Sequence, residues 1–338
     1  MKRLSIKKII LFSFLSLLGL VGIFMVYFSV GSPAPAKEIF WGVNFSPAHA
    51  TTLGLDWQET YLALLDDLKV RRFKLAVDWD RIEPQQDLFH FNDIDWQLKE
   101  AEKRKAQVLL VVGMKTSRWP ECHIPEWAKN LPKREQQKQI LSFLEQLVLR
   151  YKDSSALLGW QIENEPLFPF GKCPWRDRRF LAKETQLVKS LDRNHPIIIS
   201  DSGEFSLWIQ AAKLGDFVST TMYRKVWFRE LKSYVEYPLS PVFYARKAKL
   251  IHTFFGKEVI VGELQAEPWG PGKLLSDTSL QEQEKSFDLN QFKKNILYAK
   301  RTGLREFYLW GAEWWYWLKK THLNPTMWQE AKNLFHSE

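Results

Sequence analysis

The most constraining feature of this sequence is a regular alternation of short apolar runs with helix-like stretches, beginning near residue 39. Each run has five to eight residues, and a stretch with helical spacing of apolar residues separates it from the next. The eight runs cover residues 39–44, 72–79, 107–114, 157–164, 196–200, 216–222, 258–263 and 305–310. Alternating strands and helices form a parallel sheet with helical crossovers. Eight such units in about 300 residues predict an α/β fold of the (β/α)8 TIM-barrel type.

The alternative α/β architecture is an open, doubly wound sheet, which usually has a glycine-rich turn after its first strand. The segment after the first run reads FSPAHATTLG and lacks that pattern, so we favour the barrel. Local signals agree with the predicted elements. Asp56 followed by Glu59 predicts a capping box at a helix start, and Gly215, Gly256 and Gly303 are predicted to end helices.

A long uncharged segment precedes the barrel. Residues 9–30 contain no charged side chain, and Lys2, Arg3, Lys7 and Lys8 come before them. As a helix, 22 residues extend about 33 Å, enough for a hydrocarbon core of about 30 Å. The positive-inside rule then predicts a single-pass membrane protein with its body outside the cytoplasm. We expect a cytoplasmic tail over residues 1–8, a signal-anchor over 9–30 in the lipid bilayer, a linker over 31–37 and the catalytic barrel over 38–338.

The alternative for this N-terminal segment is a cleaved signal peptide, since Ala34-Pro35-Ala36 resembles a cleavage site. In that case the body would be secreted. Either interpretation gives the two cysteines an oxidising environment. Cys122 and Cys173 follow the third and fourth runs, whose loops are neighbours in a barrel, so we predict a disulfide between them. A metal site built from these cysteines and His123 would lack a fourth ligand, and we predict no metal.

The net charge of +9 does not indicate nucleic-acid binding, because four of the positive charges precede residue 9. The remainder has no basic stripe and no nucleic-acid-binding motif. The most informative positions are instead the exits of the predicted strands, where barrel enzymes place their active sites. Glu165 lies at the fourth exit, where Pro166 is expected to keep it extended. Glu263 lies at the seventh exit, and two carboxyl groups are thereby predicted to meet at the mouth.

Two further carboxyl groups compete with this pair. Glu163 precedes Glu165 by two residues on the same strand face, and we interpret it as a structural member of an ion pair. Glu267 follows the seventh strand by four residues. We interpret it as a rim or substrate-binding residue, with the role of nucleophile as its alternative.

The strand exits resemble those of clan A of the glycoside hydrolases, the (β/α)8 enzymes with two catalytic glutamates. The resemblance spans about residues 38–336 and rests on N-E-P at 164–166, Glu263, Tyr223 at the sixth exit and Trp310 at the eighth. The stretch over 79–95, WDRIEPQQDLFHFNDID, also resembles the second unit of several families in that clan.

The resemblance implies a role for each matched residue. Glu165 would be the acid/base and Glu263 the nucleophile. Asn164 would bind the sugar hydroxyl next to the anomeric carbon, Tyr223 would donate a hydrogen bond to Glu263, and Trp310 would form the floor of the central subsite. A retaining hydrolase needs one protonated and one ionised carboxyl group, and a tyrosine hydroxyl directed at Glu263 would favour its ionised form.

The sequence departs from the clan at one position. The clan usually carries an arginine on the second strand near the nucleophile, and Lys74 occupies that position here, with Arg72 as the alternative on the same strand face. Lysine keeps the positive charge but lacks the planar fork that binds a carboxylate through two nitrogens.

The chain contains 16 tryptophans, several of them at predicted strand exits. Trp119 and Trp269 are candidates for stacking on sugar rings, while His123 and Arg224 are candidate hydroxyl or acid binders. Together these features predict a membrane-anchored retaining glycoside hydrolase that cleaves a β-linked oligo- or polysaccharide without a cofactor. The alternatives are a catalytically weak glycan-binding or scaffolding barrel, and a transglycosylase that uses the same glutamates.

Overall fold

A computed structural model describes residues 6–272 and 274–336 of the chain. Eight parallel strands close into a barrel in the order β1-β10-β9-β6-β5-β4-β3-β2, and β7 and β8 form a separate antiparallel hairpin. The strands are β1 (Phe40–Phe45), β2 (Arg72–Ala76), β3 (Gln107–Val112), β4 (Leu157–Ile162), β5 (Ile197–Asp201), β6 (Phe217–Met222), β7 (Lys225–Phe228), β8 (Ser233–Glu236), β9 (Glu258–Gln265) and β10 (Glu306–Trp310). The predicted (β/α)8 architecture is therefore confirmed.

Helices precede, connect and follow the barrel strands, and the crossover helices return the chain from the end of one strand to the start of the next. They are α1 (Ile6–Ser29), α2 (Pro47–Thr52), α3 (Trp57–Asp66), α4 (Trp79–Ile82), α5 (Asn92–Lys103), α6 (Lys133–Tyr151), α7 (Arg178–Leu191), α8 (Ile209–Leu214), α9 (Pro241–Phe255), α10 (Leu280–Glu284), α11 (Leu289–Lys300), α12 (Ala312–Thr321) and α13 (Thr326–His336). Because the strands run toward the mouth of the barrel, the crossover helices begin at the mouth and end at the opposite face.

The apolar core has two parts. The larger cluster lies between the barrel strands and the surrounding helices, where alternate strand residues such as Val108 and Leu110 are buried. A smaller cluster fills the interior of the barrel with Leu109, Ile198 and Ile260 beside Tyr308. Alternation of side chains along each strand thus supplies both layers.

The capping box predicted at the start of α3 is present only in part. Asp56 caps α3 by accepting hydrogen bonds from the backbone N–H groups of Gln58 and Glu59 at 2.8 and 2.9 Å. The Glu59 side chain does not complete the capping box, because it accepts hydrogen bonds from Tyr316 and Lys320.

The three glycines predicted to end helices adopt two different backbone conformations. Gly256 and Gly303 adopt left-handed backbone angles, with φ of 65° and 73°. Gly215 also ends its helix as predicted, because it is the C-cap of α8, but its φ is −89° and its backbone is extended.

The predicted signal-anchor coincides with α1, although the predicted cytoplasmic tail over 1–8 falls mostly outside the described residues. Within residues 6–272 and 274–336, none of the helices combines the length and the apolar character needed to cross a membrane. The transmembrane part of the prediction therefore has no support from this finding.

Candidate active site

Glu263 lies within β9 and is held from two sides at the mouth of the barrel. The Lys74 Nζ atom donates to Glu263 Oε1 at 3.1 Å, and the Tyr223 hydroxyl donates to Oε2 at 2.9 Å. All three residues are buried. Two donors of this kind stabilise the negative charge of the carboxylate. Lys74 thus occupies the place that the sequence predicted for it, whereas Arg72 pairs with Glu306 at 2.8 Å.

Glu165 lies three residues beyond the end of β4 and faces the same space. Its backbone N–H donates to the Ser200 hydroxyl at 2.7 Å, and its carbonyl oxygen accepts from the Lys115 ammonium at 2.8 Å. The expected extended conformation is wrong: φ of Glu165 is 43°, in the left-handed region. The two tertiary hydrogen bonds fix this backbone conformation, and they override the local preference imposed by Pro166.

The environment of Glu165 favours its protonated form. Burial raises the pKa of its carboxyl group well above the usual value, and the negative charges of Glu263 and Glu121 raise it further. One carboxyl group of the pair is therefore surrounded by acidic neighbours, while the other receives two donors. Such a difference in environment is typical of a general acid beside an ionised carboxylate.

The Asn164 side chain lies between Lys74, which binds Glu263, and a third carboxyl group, that of Glu121. Its Oδ1 atom lies 3.4 Å from Lys74 Nζ, and its Nδ2 atom lies 3.4 Å from Glu121 Oε2. Gln161 also donates to Asn164 Oδ1 at 3.2 Å, so the orientation of the amide is defined by neighbours on both sides. Burial, opposed by the charge of Lys115 and assisted by that of Glu263, raises the pKa of Glu121 to about 7.

Glu267 has a different environment from the catalytic candidates. Both terminal nitrogens of Arg118 bind its carboxylate, and the ring of His49 lies 3.5 Å away. Although burial opposes it, the charge of Arg118 lowers the pKa of Glu267 to about 2. Arg118 also approaches the carboxylate of Glu313 at 3.5 Å. Glu267 therefore binds Arg118 and lies beside His49, whereas Glu263 binds Lys74 and Tyr223.

The same arginine changes the expected subsite floor. The Arg118 guanidinium carbon lies 4.1 Å from the centre of the Trp310 ring, so that one face of the indole is covered. Trp310 is only 8% exposed. A sugar could stack on this tryptophan only from the side away from Arg118.

Aromatic side chains form a row that leads from the rim to the carboxyl pair. Trp119 is 61% exposed, and its ring lies 6.2 Å from that of Phe170. Phe170 lies 6.1 Å from Trp269, and Trp269 contacts Tyr223 edge-on at 5.0 Å. The structure thereby connects the two predicted rim tryptophans with the residue that binds Glu263.

The other predicted polar binders contact protein groups. The His123 ring nitrogens lie beside Asp78 and Asp80 at 3.8 and 3.7 Å. Although burial opposes it, the charges of these carboxylates raise the pKa of His123 to about 9. Arg224 donates to two backbone carbonyl oxygens at 3.0 and 2.7 Å and joins the hairpin to the start of α9.

Glu163 is a buried structural residue, but its partners differ from those expected. Its carboxyl group accepts from the backbone N–H of Met114 at 3.1 Å and lies next to the carboxyl group of Glu184. Burial raises the pKa of Glu163 to about 7. Burial also raises the pKa of Glu184, and the neighbouring Glu163 carboxyl group raises it further. Two protonatable groups in contact replace the predicted ion pair.

The predicted disulfide is present between Cys122 and Cys173, whose Cα atoms are 5.2 Å apart. It joins the loop after β3 to the loop after β4. Glu121 directly precedes the first cysteine, and a Cβ added at Gly171 would lie 2.5 Å from Cβ of Glu121. The absence of a side chain at Gly171 therefore makes room for this third carboxyl group.

Sequence reasoning missed Arg118 and Glu121, two of the charged residues that the loop after β3 carries into the mouth. Both have positive φ, 84° and 73° respectively, and neither belongs to a strand or helix. Their only signal in the sequence was their position between a strand exit and Cys122.

Comparison with solved structures shows that the barrel is shared with several glycoside hydrolases. The GH5_18 variant of Bifidobacterium longum in complex with Manb1-4GlcNAc has 14% identity and a TM-score of 0.57, with 81% of this chain and 68% of that chain covered. An endoxylanase of the GH10 type from a sugarcane soil metagenome has 14% identity and a TM-score of 0.56, with 81% and 86% covered. The β-galactosidase of Halorubrum lacusprofundi has 14% identity and a TM-score of 0.55, with 80% and 52% covered.

This chain thus spans about half the length of the β-galactosidase. No protein-family model matches the chain, and no curated protein matches it. At these identities the similarity establishes a common fold.

Proposed function

We propose that this chain is a retaining glycoside hydrolase of clan A that cleaves a β-linked oligo- or polysaccharide. One observation carries the proposal: two buried carboxyl groups at the ends of β4 and β9 have opposite environments. Glu263 receives hydrogen bonds from Lys74 and Tyr223, whereas burial, and after it the acidic neighbours, raise the pKa of Glu165.

The two environments support a double-displacement reaction. Glu263 attacks the anomeric carbon while Glu165 gives its proton to the departing glycosidic oxygen, which leaves as an alcohol. A covalent glycosyl-enzyme ester results. Glu165, now ionised, removes a proton from water, the water oxygen attacks the anomeric carbon, and the ester bond to Glu263 breaks.

Two observations support a β-linked glycan as the substrate. The aromatic row from Trp119 to Tyr223 offers apolar rings to the apolar faces of sugars. The structures that share the barrel include a β-galactosidase, an endoxylanase and a complex with Manb1-4GlcNAc, which favours a β-linked substrate for this chain as well. They differ among themselves in the sugar, and the β linkage is what the named substrates have in common.

The test is hydrolysis of a panel of aryl β-glycosides and β-linked oligosaccharides by the full chain. We expect Glu263→Gln to abolish turnover of every substrate that the parent cleaves. Glu258→Gln is the matched control, because Glu258 begins the same strand and its side chain is 67% exposed. The first product, observed by NMR, should keep the β configuration. Normal turnover by Glu263→Gln would refute the proposal and favour the scaffolding alternative, and an α product would refute retention.

We also propose that the barrel lies outside the cytoplasm and is held at the membrane by the N-terminal segment. The disulfide supports an oxidising compartment, and the uncharged residues 9–30 behind four basic ones support the anchor and its orientation. Protease added to spheroplasts should digest the barrel. Protection of the barrel would contradict the proposed side of the membrane, and a mature chain that begins at Lys37 would contradict the anchor.

A further inference from the structure

Helix α1 exposes an unusual amount of apolar surface. Ten large apolar side chains on or next to this helix are at least half exposed: Phe12, Phe14, Leu15, Leu18, Leu20, Val21, Ile23, Met25, Val26 and Val30. A helix that is apolar on all sides requires a cover, either protein or lipid. The absence of charge over residues 9–30 and the basic residues before them favour a lipid surface as that cover.

The end of α1 attaches to the mouth end of α9. The Phe28 ring lies 5.7 Å from that of Phe243, and the Arg246 guanidinium lies 4.7 Å from the Tyr27 ring. The Ser240 hydroxyl donates to the Phe28 carbonyl oxygen at 3.4 Å. Because α9 follows β6 and the hairpin and leads to β9, these first turns of α9 lie at the mouth of the barrel.

Exposed apolar and basic side chains protrude from the same edge of the mouth. Leu231 is 66% exposed at the tip of the β7–β8 hairpin, between exposed Glu230 and Lys232 and close to exposed Arg229. The hairpin leads directly into α9. This combination of apolar and basic side chains suits the interface of an anionic membrane.

The loop after β5 belongs to this edge as well, and it presents Phe205 and Leu207, which are 60% and 71% exposed. Lys247 of α9 holds the loop by donating to the carbonyl oxygens of Gly203 and Ser206, both at 2.7 Å. The attachment point of α1 and both exposed segments are thus joined through one helix.

We propose that this mouth edge, defined as Phe205, Leu207, Arg229, Leu231 and Lys232, rests on the anionic lipid surface into which α1 inserts. The mouth then opens toward the membrane and toward glycans held at its surface. The proposal rests on the membrane attachment proposed above. The proposed orientation requires that α1 inserts into lipid. It is the same whether α1 enters one leaflet or passes through the bilayer.

The experiment measures the depth of two positions in the full chain reconstituted into phosphatidylcholine–phosphatidylglycerol vesicles. Both native cysteines form the disulfide, so one new thiol can be labelled selectively. Leu231→Cys places a fluorophore at the mouth edge. Phe254→Cys is the matched control, because Phe254 is 73% exposed near the other end of α9. Nitroxide-labelled lipids quench a fluorophore that touches the membrane.

We expect quenching at position 231 to be several-fold stronger than at position 254, and to weaken in vesicles of phosphatidylcholine alone. Equal quenching, stronger quenching at 254, or no quenching at either position would overturn the proposal. Disulfide crosslinking of two chains through the thiol at 231, without lipid quenching, would assign the edge to a second copy and would also overturn it. The readout does not depend on turnover, so this outcome is separate from the test of hydrolysis.

Discussion

Replacement of Arg118 by glutamine should cost far more stability than replacement of a surface arginine with the same kinds of contact. Arg118 binds the carboxylate of Glu267, and both side chains are largely buried, at 17% and 7% exposure. Burial raises the pKa of Glu267, but the charge of Arg118 outweighs this effect and is the main reason that the pKa lies at about 2 instead of the usual 4.5. Each unit corresponds to about 1.4 kcal/mol, so the ion pair contributes about 3 kcal/mol near neutral pH.

This magnitude agrees with the cost of about 3–5 kcal/mol for removing one partner of a buried pair. The sign of its pH dependence follows from the lowered pKa. A carboxyl group whose pKa is lowered by folding stabilises the fold fully at a pH above its pKa in the unfolded state. This contribution is lost as the pH falls toward and through its pKa in the folded state. For Glu267 the contribution should shrink to about 1.4 kcal/mol at about pH 3, since only about one unit then separates the pH from the folded pKa.

The assay is urea unfolding of the full chain at pH 7 and near pH 3. Arg150→Gln is the matched control, because Arg150 donates to Asp95 at 2.8 Å and lies 4.7 Å from the Phe91 ring. Its side chain is 45% exposed, and such surface pairs contribute about 0–1 kcal/mol. Equal losses of stability for the two substitutions at pH 7, or a loss for Arg118→Gln that grows in acid, would show that the buried ion pair does not contribute as proposed.

Three further predictions concern the mouth. Glu121→Gln should move the alkaline limb of kcat/KM to lower pH, because the charge of Glu121 helps to raise the pKa of Glu165; an unmoved limb would contradict this. Tyr223→Phe removes a hydrogen bond of 2.9 Å to Glu263 and should lower kcat/KM about 10- to 150-fold, for about 1.5–3 kcal/mol. Parent-like kinetics would argue against it. Reduction of the disulfide, which spans 51 residues, should lower the free energy of unfolding by about 4 kcal/mol, and an unchanged urea midpoint would count against that estimate.

The sequence predicted the barrel strands within one to three residues, because periodic burial is a local property of the chain. The run over 157–164, for example, contains β4 (Leu157–Ile162) but extends two residues into the turn that carries Asn164. Lys74 and Tyr223 were also expected as partners of Glu263, but from the resemblance to clan A glycoside hydrolases; Lys74 lies on β2, and Tyr223 directly follows β6.

The loop after β3 was not predictable in the same way. Arg118 and Glu121 reach the mouth through left-handed backbone conformations, a disulfide and the space left by Gly171. These constraints join segments that are distant along the chain, so no local pattern signals them. The backbone conformation of Glu165 was predicted wrongly for the same reason, because hydrogen bonds to Ser200 and Lys115 determine that conformation.

Azide rescue distinguishes the proposed nucleophile, Glu263, from the proposed acid/base, Glu165. The assay uses an aryl β-glycoside that the parent cleaves, with azide added to Glu165→Ala and to Glu263→Ala. In Glu165→Ala the azide should attack the covalent intermediate on Glu263, and two displacements give a β-glycosyl azide. In Glu263→Ala the azide should occupy the place of the missing carboxylate, and one displacement gives an α-glycosyl azide. NMR distinguishes the two products, and a β-azide from Glu263→Ala or an α-azide from Glu165→Ala would contradict the assignment.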